Sequence, residues 1–404
     1  MRFGLERIRR LVSVLGMPQH RFASIHVVGT NGKSSVTEIT AALLEAHGRS
    51  AGAYLSPHDQ RWRERIRIAG AEIDADAFGA AVERVAQAVE VVDRALDEGE
   101  SVTQFEADTA SAFVALAAAR VEVGVIEAGL GGRLDATNVL PSQVTVLTSV
   151  GLEHTEYLGD TELEIAGEKL AVLRDHSTLV TGPLTPEVED LARRVATERG
   201  AKHVTVRDLA PVVELPVEAP YLRRNFAVAL AAAEAVLGSL DAERVMGVAA
   251  GLELHGRMEV VEGDPVVVLD AAHNPAGAAA LAEALPGVAG GRPVVAGLAL
   301  LADKDAGGFM AALGPALAGV VATEIPAERL AEAGRPGAQA LPGAELAELA
   351  RGVGIGWVEE VADPAAAVER AREVARSQGG VALVSGSHYL LRYFSGASGG
   401  GGTP

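Results

Sequence analysis

The stretch Ser24-Ile25-His26-Val27-Val28-Gly29-Thr30-Asn31-Gly32-Lys33-Ser34-Ser35-Val36-Thr37 constrains the fold of this chain more than any other. The apolar run Ile25 to Val28 reads as a short buried strand. It breaks into Gly29-Thr30-Asn31-Gly32, and a helical pattern follows to about His47. A strand feeding a glycine loop that opens a helix aims backbone N–H groups and the positive helix end at one point. Lys33 adds a full charge there, and a following serine hydroxyl can reach a magnesium ion. A nucleotide triphosphate suits this arrangement. The pattern G-x-x-x-x-G-K-[ST] would need glycine at position 27, where Val27 stands. The loop alone therefore leaves an ordinary strand–turn–helix open beside a phosphate loop.

A chain of 404 residues is long for one core, and two domains are expected. The composition is 49% apolar with only 4% aromatic residues, which suits alternating strands and helices packed tightly. No apolar run approaches the roughly 20 residues that cross a bilayer, and Met1-Arg2-Phe3-Gly4-Leu5-Glu6 lacks a signal-peptide core. The absence of cysteine excludes disulfides, iron–sulfur ligation and thiol catalysis. The cytoplasm is the expected setting. A formal charge of −19 argues against nucleic acid or an anionic membrane as partner, so an anionic substrate needs a locally positive site. Of the 35 basic residues, Lys33, Lys169, Lys202 and Lys304 are the only lysines. Arginine thus serves wherever a generic cation suffices, and the lysines are candidates for positions needing a compact, deprotonatable amine.

Taken in order, Leu5–Leu15 reads as an amphipathic helix and Ala51–Leu55 as a second strand. The arginine-rich loop Ser56-Pro57-His58-Asp59-Gln60-Arg61-Trp62-Arg63-Glu64-Arg65-Ile66 follows that strand, where open α/β sheets place ligands; a solvated loop is the alternative. Ala75–Leu96 and Thr103–Arg120 read as helices. The second opens with Thr103-Gln104-Phe105-Glu106, a capping-box spacing that makes Glu106 a helix cap on its own terms. Val121–Ile126 is a third strand, ending in Glu127 and a glycine turn, a good position for a magnesium-binding carboxylate. Val144–Ser149 is a fourth strand, followed by His154, and Thr161–Leu173 is a helix carrying Lys169. A strand–helix–strand unit spans Thr178–Val206, and an alanine-rich helix spans Arg223–Leu237, beginning near Asn225. Leu252–Val261 looks like the domain join. A second α/β alternation then starts with the strand Val266–Asp270 and a helix opened by Ala271-Ala272-His273-Asn274-Pro275, with strands near Pro293–Leu298, Gly319–Thr323, Ile355–Glu359 and Val381–Ser385.

Assembled, the motifs resemble those of the folylpolyglutamate synthase/dihydrofolate synthase family within the Mur ligase superfamily. They are Gly29-Thr30-Asn31-Gly32-Lys33, Ser56-Pro57-His58 with Glu64-Arg65-Ile66, Gln104-Phe105-Glu106, and Gly129-Leu130-Gly131-Gly132-Arg133-Leu134-Asp135-Ala136-Thr137-Asn138. His154-Thr155, Ile165-Ala166-Gly167-Glu168-Lys169, Gly256-Arg257, Asp270-Ala271-Ala272-His273-Asn274-Pro275 and Ser385-Gly386-Ser387 complete the set, in order and at family-like separations. The resemblance implies an α/β fold: a P-loop-type N-terminal ATPase domain with a mostly parallel sheet over 1–256, and a smaller Rossmann-like domain over 257–394. A disordered glycine/serine tail is expected over 395–404. It also implies a reaction: ATP phosphorylates a substrate carboxylate, and the amine of L-glutamate displaces phosphate from the acyl phosphate. Dihydropteroate or a reduced folate is the acid, and a monomer is expected.

By the same resemblance Thr30, Asn31, Gly32, Lys33, Ser34 and Ser35 cradle the ATP phosphates. Ser56, Glu127 and His154 match magnesium ligands, and Lys169 matches a lysine carbamylated by carbon dioxide that helps hold a second metal. Asn225, Arg257 and Asp270 match nucleotide-binding positions. Thr103, Gln104, Phe105, Glu106, Leu134, Asp135 and Ala136 match the pterin side of the acid, and His273 lies near the acyl phosphate or the incoming glutamate. A monovalent cation is left open. Ser34, Ala271, Asp59 and Glu153 depart from the family's usual residues. Asp59 and the arginines around it motivate a second reading, a Mur-type amide ligase acting on a different carboxylate.

Overall fold

Strands buried along almost their whole length form the middle of the first sheet. They are β1 (Ala23–Val28), β5 (Val123–Glu127) and β6 (Val144–Leu147), and nearly every residue in them is buried, as expected of parallel strands covered on both faces. The computed structural model describes residues 4–58, 61–206, 213–335 and 337–394. Two expectations, a substrate role for Asp59 and disorder of the tail 395–404, lie outside these residues.

The chain divides into two compact units, one of Met1–Glu214 with Leu222–Leu252, the other of Leu215–Tyr221 with Glu253–Pro404. In the first, β2 (Ala51–Tyr54), β3 (Ile66–Ile68), β4 (Ala71–Glu72), β7 (Thr178–Thr181) and β8 (Lys202–Thr205) complete an eight-stranded sheet of order β4-β3-β2-β5-β1-β6-β7-β8. Pairing is parallel from β2 to β8 and antiparallel at β2–β3 and β3–β4. The helices α1 (Glu6–Val14), α3 (Ala75–Asp93) and α4 (Gln104–Ala118) contribute Ile8, Leu11, Val85, Phe113 and Leu116 to a core with Phe22, Tyr54 and Ile126. A separate cluster packs Val28, Leu147, Leu170, Leu179 and Ala192. The chain leaves β1 through α2 (Lys33–Ala46) toward β2, and the β5-to-β6 connection passes to its other side. The carboxyl end of β1 is thus a topological switch point, the place where open α/β sheets hold ligands.

In the second unit, β9 (Glu259–Val261), β10 (Val266–Leu269), β11 (Val294–Leu298), β12 (Gly319–Ala322), β13 (Val358–Glu360) and β14 (Val381–Ser385) form a sheet of order β13-β12-β11-β14-β10-β9. All pairs are parallel except β9–β10.

The expected α/β architecture is present, with local corrections. The helix expected from Arg223 starts at Pro220, because proline at the first helical position forfeits only an N–H that had no partner. The stretch Leu252–Val261, read as a join, already contains strand β9, and the strand expected at Ile355–Glu359 is Val358–Glu360. The hairpin β3–β4 was not anticipated. Among the described residues no helix is long and apolar enough to cross a membrane.

Candidate active site

The loop after β1 is tied to the end of β6 rather than standing free. The Thr30 amide donates to Ser149 O at 2.9 Å, and the Asn31 amide to Ser149 Oγ at 3.0 Å. Thr148 Oγ1 donates back to Asn31 O at 2.7 Å. The hydroxyl of Thr30 meets both the amide and the carbonyl of Gly151, at 3.1 and 3.2 Å. Two glycines make this closeness possible. A side chain on Gly29 would overlap Thr148 Oγ1; Gly32 has φ +84°, and a Cβ there would meet Asn225 Oδ1 at 2.6 Å. Asn225, one turn into the helix Pro220–Leu237, therefore sits directly against the loop. Lys33 folds over the loop and donates to Thr30 O at 3.1 Å. Ser34 and Ser35 begin α2, with Ser35 buried.

The strand ends beside this loop bring in the other candidates. Glu127, 1% exposed at the end of β5, accepts from Ser34 Oγ at 3.1 Å and from the Ser56 amide at 3.2 Å. Lys169, in the helix Glu162–Leu170, donates to Gly29 O at 2.9 Å. Burial first, and then the charge of Lys33, lower its amine to about 7. His154 takes a left-handed backbone, φ +52°, at the start of the short helix Thr155–Leu158, with its Nε2 3.8 Å from Glu153 Oε1. Lys33, Lys169, His154 and Glu153 line one cleft with Gly29 and the Gly129–Gly131 backbone. Among the described residues no three His, Asp or Glu side chains converge into a closed cage. The groups that do meet are the Ser34 hydroxyl, the Ser56 amide and the buried Glu127 carboxylate. The hydroxyl and carboxylate oxygens are donors of the kind a hard divalent ion takes.

Of the positions expected on the acid's side, Thr103 and Glu106 form the anticipated capping box. Glu106 Oε2 accepts from the Thr103 amide, the Thr103 hydroxyl and Arg7 Nε at 2.8, 2.8 and 3.0 Å. The ion pair with Arg7 is a second role beside the cap, while Oε1 is buried and has no hydrogen-bond partner among the described residues. Gln104 is exposed, and Phe105 covers Gly129, where a Cβ would run into the ring. Leu134 is exposed and Ala136 buried. Asp135 is turned inward and occupied: it accepts from the Leu130 amide at 2.8 Å, from the Thr137 amide at 3.0 Å and from the Thr137 hydroxyl. The loop arginines are likewise engaged within the unit. Arg61 and Arg63 pair with Glu72, and Arg65 donates to His58 Nδ1 at 2.9 Å and to Asp108 at 3.2 Å while stacking over Trp62.

In the second unit Asp270, at the end of β10, accepts from Tyr221 Oη at 2.6 Å and from the Met258 and Ala272 amides, both at 2.9 Å. Arg257 donates to His388 Nε2 at 3.3 Å, and the His388 and His273 rings lie 6.2 Å apart. His273 Nδ1 is fixed by Ala271 O at 2.8 Å. Arg257, Asp270 and His273 thus gather at the ends of β10 and β14. Sequence reasoning passed over Thr148 and Ser149, which the strand-end rule applied to the fourth strand could have found. It also passed over Tyr221 and His388, for which no local signal exists.

Residues 27–207 match the Mur ligase middle domain, and 256–388 match the Mur ligase, glutamate ligase domain. The chain is an ATP-dependent ligase. A dihydrofolate synthase/folylpolyglutamate synthase of Mycobacterium tuberculosis is 36% identical over 360 residues, covering 79% of this chain and 74% of the relative. The solved Mycobacterium tuberculosis folylpolyglutamate synthase complexed with ADP superposes with TM-score 0.87 at 32% identity, over 96% of this chain and 92% of that one. A bifunctional folylpolyglutamate synthase/dihydrofolate synthase with Mn, AMPPNP and L-glutamate bound gives 0.81 at 28%, over 97% and 93%. The chain belongs to the folylpolyglutamate synthase/dihydrofolate synthase family of Mur ligases.

Proposed function

We propose that this enzyme joins L-glutamate to the carboxylate of dihydropteroate, of a reduced folate, or of both. The observation that carries the reading is the cleft at the ends of β1, β5 and β6, where Lys33, Lys169 and His154 face the Gly129–Gly131 backbone and Glu127 is anchored beside them. A carboxylate is a poor electrophile until one of its oxygens becomes a phosphate leaving group. The substrate carboxylate attacks the γ-phosphorus of ATP and ADP departs. The glutamate amine then attacks the acyl carbon, and phosphate leaves with one of the original carboxylate oxygens.

The residues divide this work. Thr30 to Ser35 present loop amides and the start of α2 to the phosphates, and Lys33 neutralises charge that moves toward the bridging oxygen. Asn225, Arg257 and Asp270 contribute to nucleotide binding. Ser56, Glu127 and His154 would hold magnesium, with Lys169 as a ligand after carbamylation; the metal neutralises phosphate charge when bound. An amine lowered to about 7 is substantially unprotonated at neutral pH, as attack on carbon dioxide requires. Its nitrogen bonds the carbon, one C=O pair moves to oxygen, and the lost N–H proton leaves a carbamate anion where a cation stood. Thr103, Gln104 and Glu106, with the Leu134–Ala136 stretch, belong to the pterin side of the acid in this reading. Phe105 and Leu134 add apolar surface, and His273 orients the incoming glutamate. A monovalent cation, a monomeric state and a cytoplasmic setting belong to the same reading. The alternative acid rested on the cations around Asp59, and Arg61, Arg63 and Arg65 already have carboxylate partners.

Heavy-oxygen labelling of the substrate carboxylate tests the chemistry. Label should appear in the released inorganic phosphate; its absence there would exclude an acyl phosphate.

A further inference from the structure

Beneath the glycine-rich turn lies a buried imidazole to which the chemistry above gives no task. His26 sits on β1 with no exposed surface, and its Nε2 is 2.7 Å from Thr137 Oγ1. The Thr137 hydroxyl has one proton, and Asp135 Oδ1, an acceptor that also takes the Thr137 amide, receives it. Thr137 can then only accept from the ring, so His26 carries its proton on Nε2. Nδ1 is left as a lone pair, buried and without a hydrogen-bond partner among the described residues. Burial, with Arg174 nearby, pushes the imidazole down to about 3, so it stays neutral across the working range. An interior strand position filled this way is less stable than one filled by leucine or valine, because a buried acceptor goes unsatisfied. The polar residue therefore calls for another reason.

The chain of bonds supplies it. Asp135 Oδ2 takes the Leu130 amide at 2.8 Å, and Leu130 belongs to the backbone that lines the cleft with Lys33, His154 and Lys169. The far side of the same turn is pinned by Arg174, whose guanidinium donates to Asn138 O and Oδ1, both at 2.8 Å, and to Leu140 O at 2.9 Å. With that side fixed, the His26–Thr137–Asp135 chain joins the Asp135 amide–Gly132 O and Arg133 amide–Glu168 O bonds in setting how the Gly129–Gly131 segment stands toward the cleft. We propose that His26 is a positioning residue for ligation: its Nε2–H orients Thr137, Thr137 orients Asp135, and Asp135, by taking the Leu130 N–H, holds the turn that lines the reaction site. The proposal rests on the cleft being the active site.

Four substitutions and one spectrum test it. His26→Leu and Thr137→Val remove a bond from the chain at nearly constant volume, whereas His26→Gln keeps a donor near the Nε2 position and Thr137→Ser keeps the hydroxyl. With ATP, L-glutamate and a pterin acid, the first two should each lower kcat by about ten- to a hundredfold, the range typical of groups that orient a ligand-bearing residue. The second two should recover most of that loss, and His26→Leu with Thr137→Val together should be no worse than either alone. A purely structural His26 would instead lower the melting temperature and leave kcat of the folded enzyme unchanged, which would overturn the proposal, as would equal losses for His26→Leu and His26→Gln. Heteronuclear NMR of the wild-type imidazole supplies a readout that needs no variant to fold: a proton on Nε2 is expected, and one on Nδ1 refutes the chain. Failure of the ligase reading would show as an inactive wild type, before any substitution is made.

Discussion

Lys169 offers a quantitative test of the site's electrostatics. Its amine is 4% exposed, 2.9 Å from Gly29 O, and lowered from 10.5 to about 7 by burial and then by Lys33. Between those two values the unfolded chain holds a proton that the folded chain has released, so native stability rises with pH across that window. The penalty is full below about pH 7 and disappears above 10.5. At about 1.4 kcal/mol for each pH unit, the penalty should shrink by about 2 kcal/mol between about pH 7 and about pH 9. Lys169→Met keeps the apolar stem and removes the titrating group. In bicarbonate-free buffer with a chelator, wild type should gain on Lys169→Met by that amount over the interval, a relative change in melting temperature on the order of 4–8 °C for a unit of this size. Calorimetry reads it directly. Bicarbonate at neutral pH should then stabilise wild type alone, since carbon dioxide reacts with the unprotonated amine of the folded chain and not with the protonated amine of the unfolded one. Parallel pH profiles for the two proteins, or an equal response to bicarbonate, would refute the reasoning.

Three further outcomes follow from the geometry. Lys33→Ala should lower ADP formation by about a hundredfold or more while the melting temperature stays near wild type, because the bond it removes is to a single loop carbonyl; undiminished ligation would remove the phosphate-loop assignment. Gly32→Ala forces a left-handed alanine, costing about 1–2 kcal/mol, and drives its methyl group into Asn225, so nucleotide titration should show weakened ATP binding, and unchanged affinity would contradict the close approach. Arg7→Met should destabilise by about 3–5 kcal/mol by leaving the Glu106 carboxylate buried without its ion-pair partner; urea unfolding should show that loss and its partial recovery in a double variant with Glu106→Gln.

The parts of this enzyme legible in its sequence are those whose physics is local. The loop from Gly29 to Ser35 declares itself because strand, glycines, lysine and helix start are contiguous, and Glu127 and His154 follow from standing just past strands. The capping box at Thr103 and Glu106 spans four residues and is equally plain, but the buried ion pair of Glu106 depends on Arg7 arriving from another helix. The bonds that turn Asp135 inward come from Leu130 and Thr137, within five residues of it, whereas the imidazole that bonds Thr137 is 111 residues away in the chain. The arginines of 61–65 looked available because their carboxylates come from Glu72, in a two-residue strand, and from Asp108, inside a helix. Strands of two and three residues carry too little periodicity to read.

One assay bears on the central claim most directly: ADP release by the purified protein given ATP, L-glutamate and either dihydropteroate or tetrahydrofolate. Release should require glutamate together with at least one of the two pterin acids, and a product heavier by one glutamyl residue should accumulate with it. ADP formation that ignores both acids, or none with either, would contradict a folate-glutamate ligase.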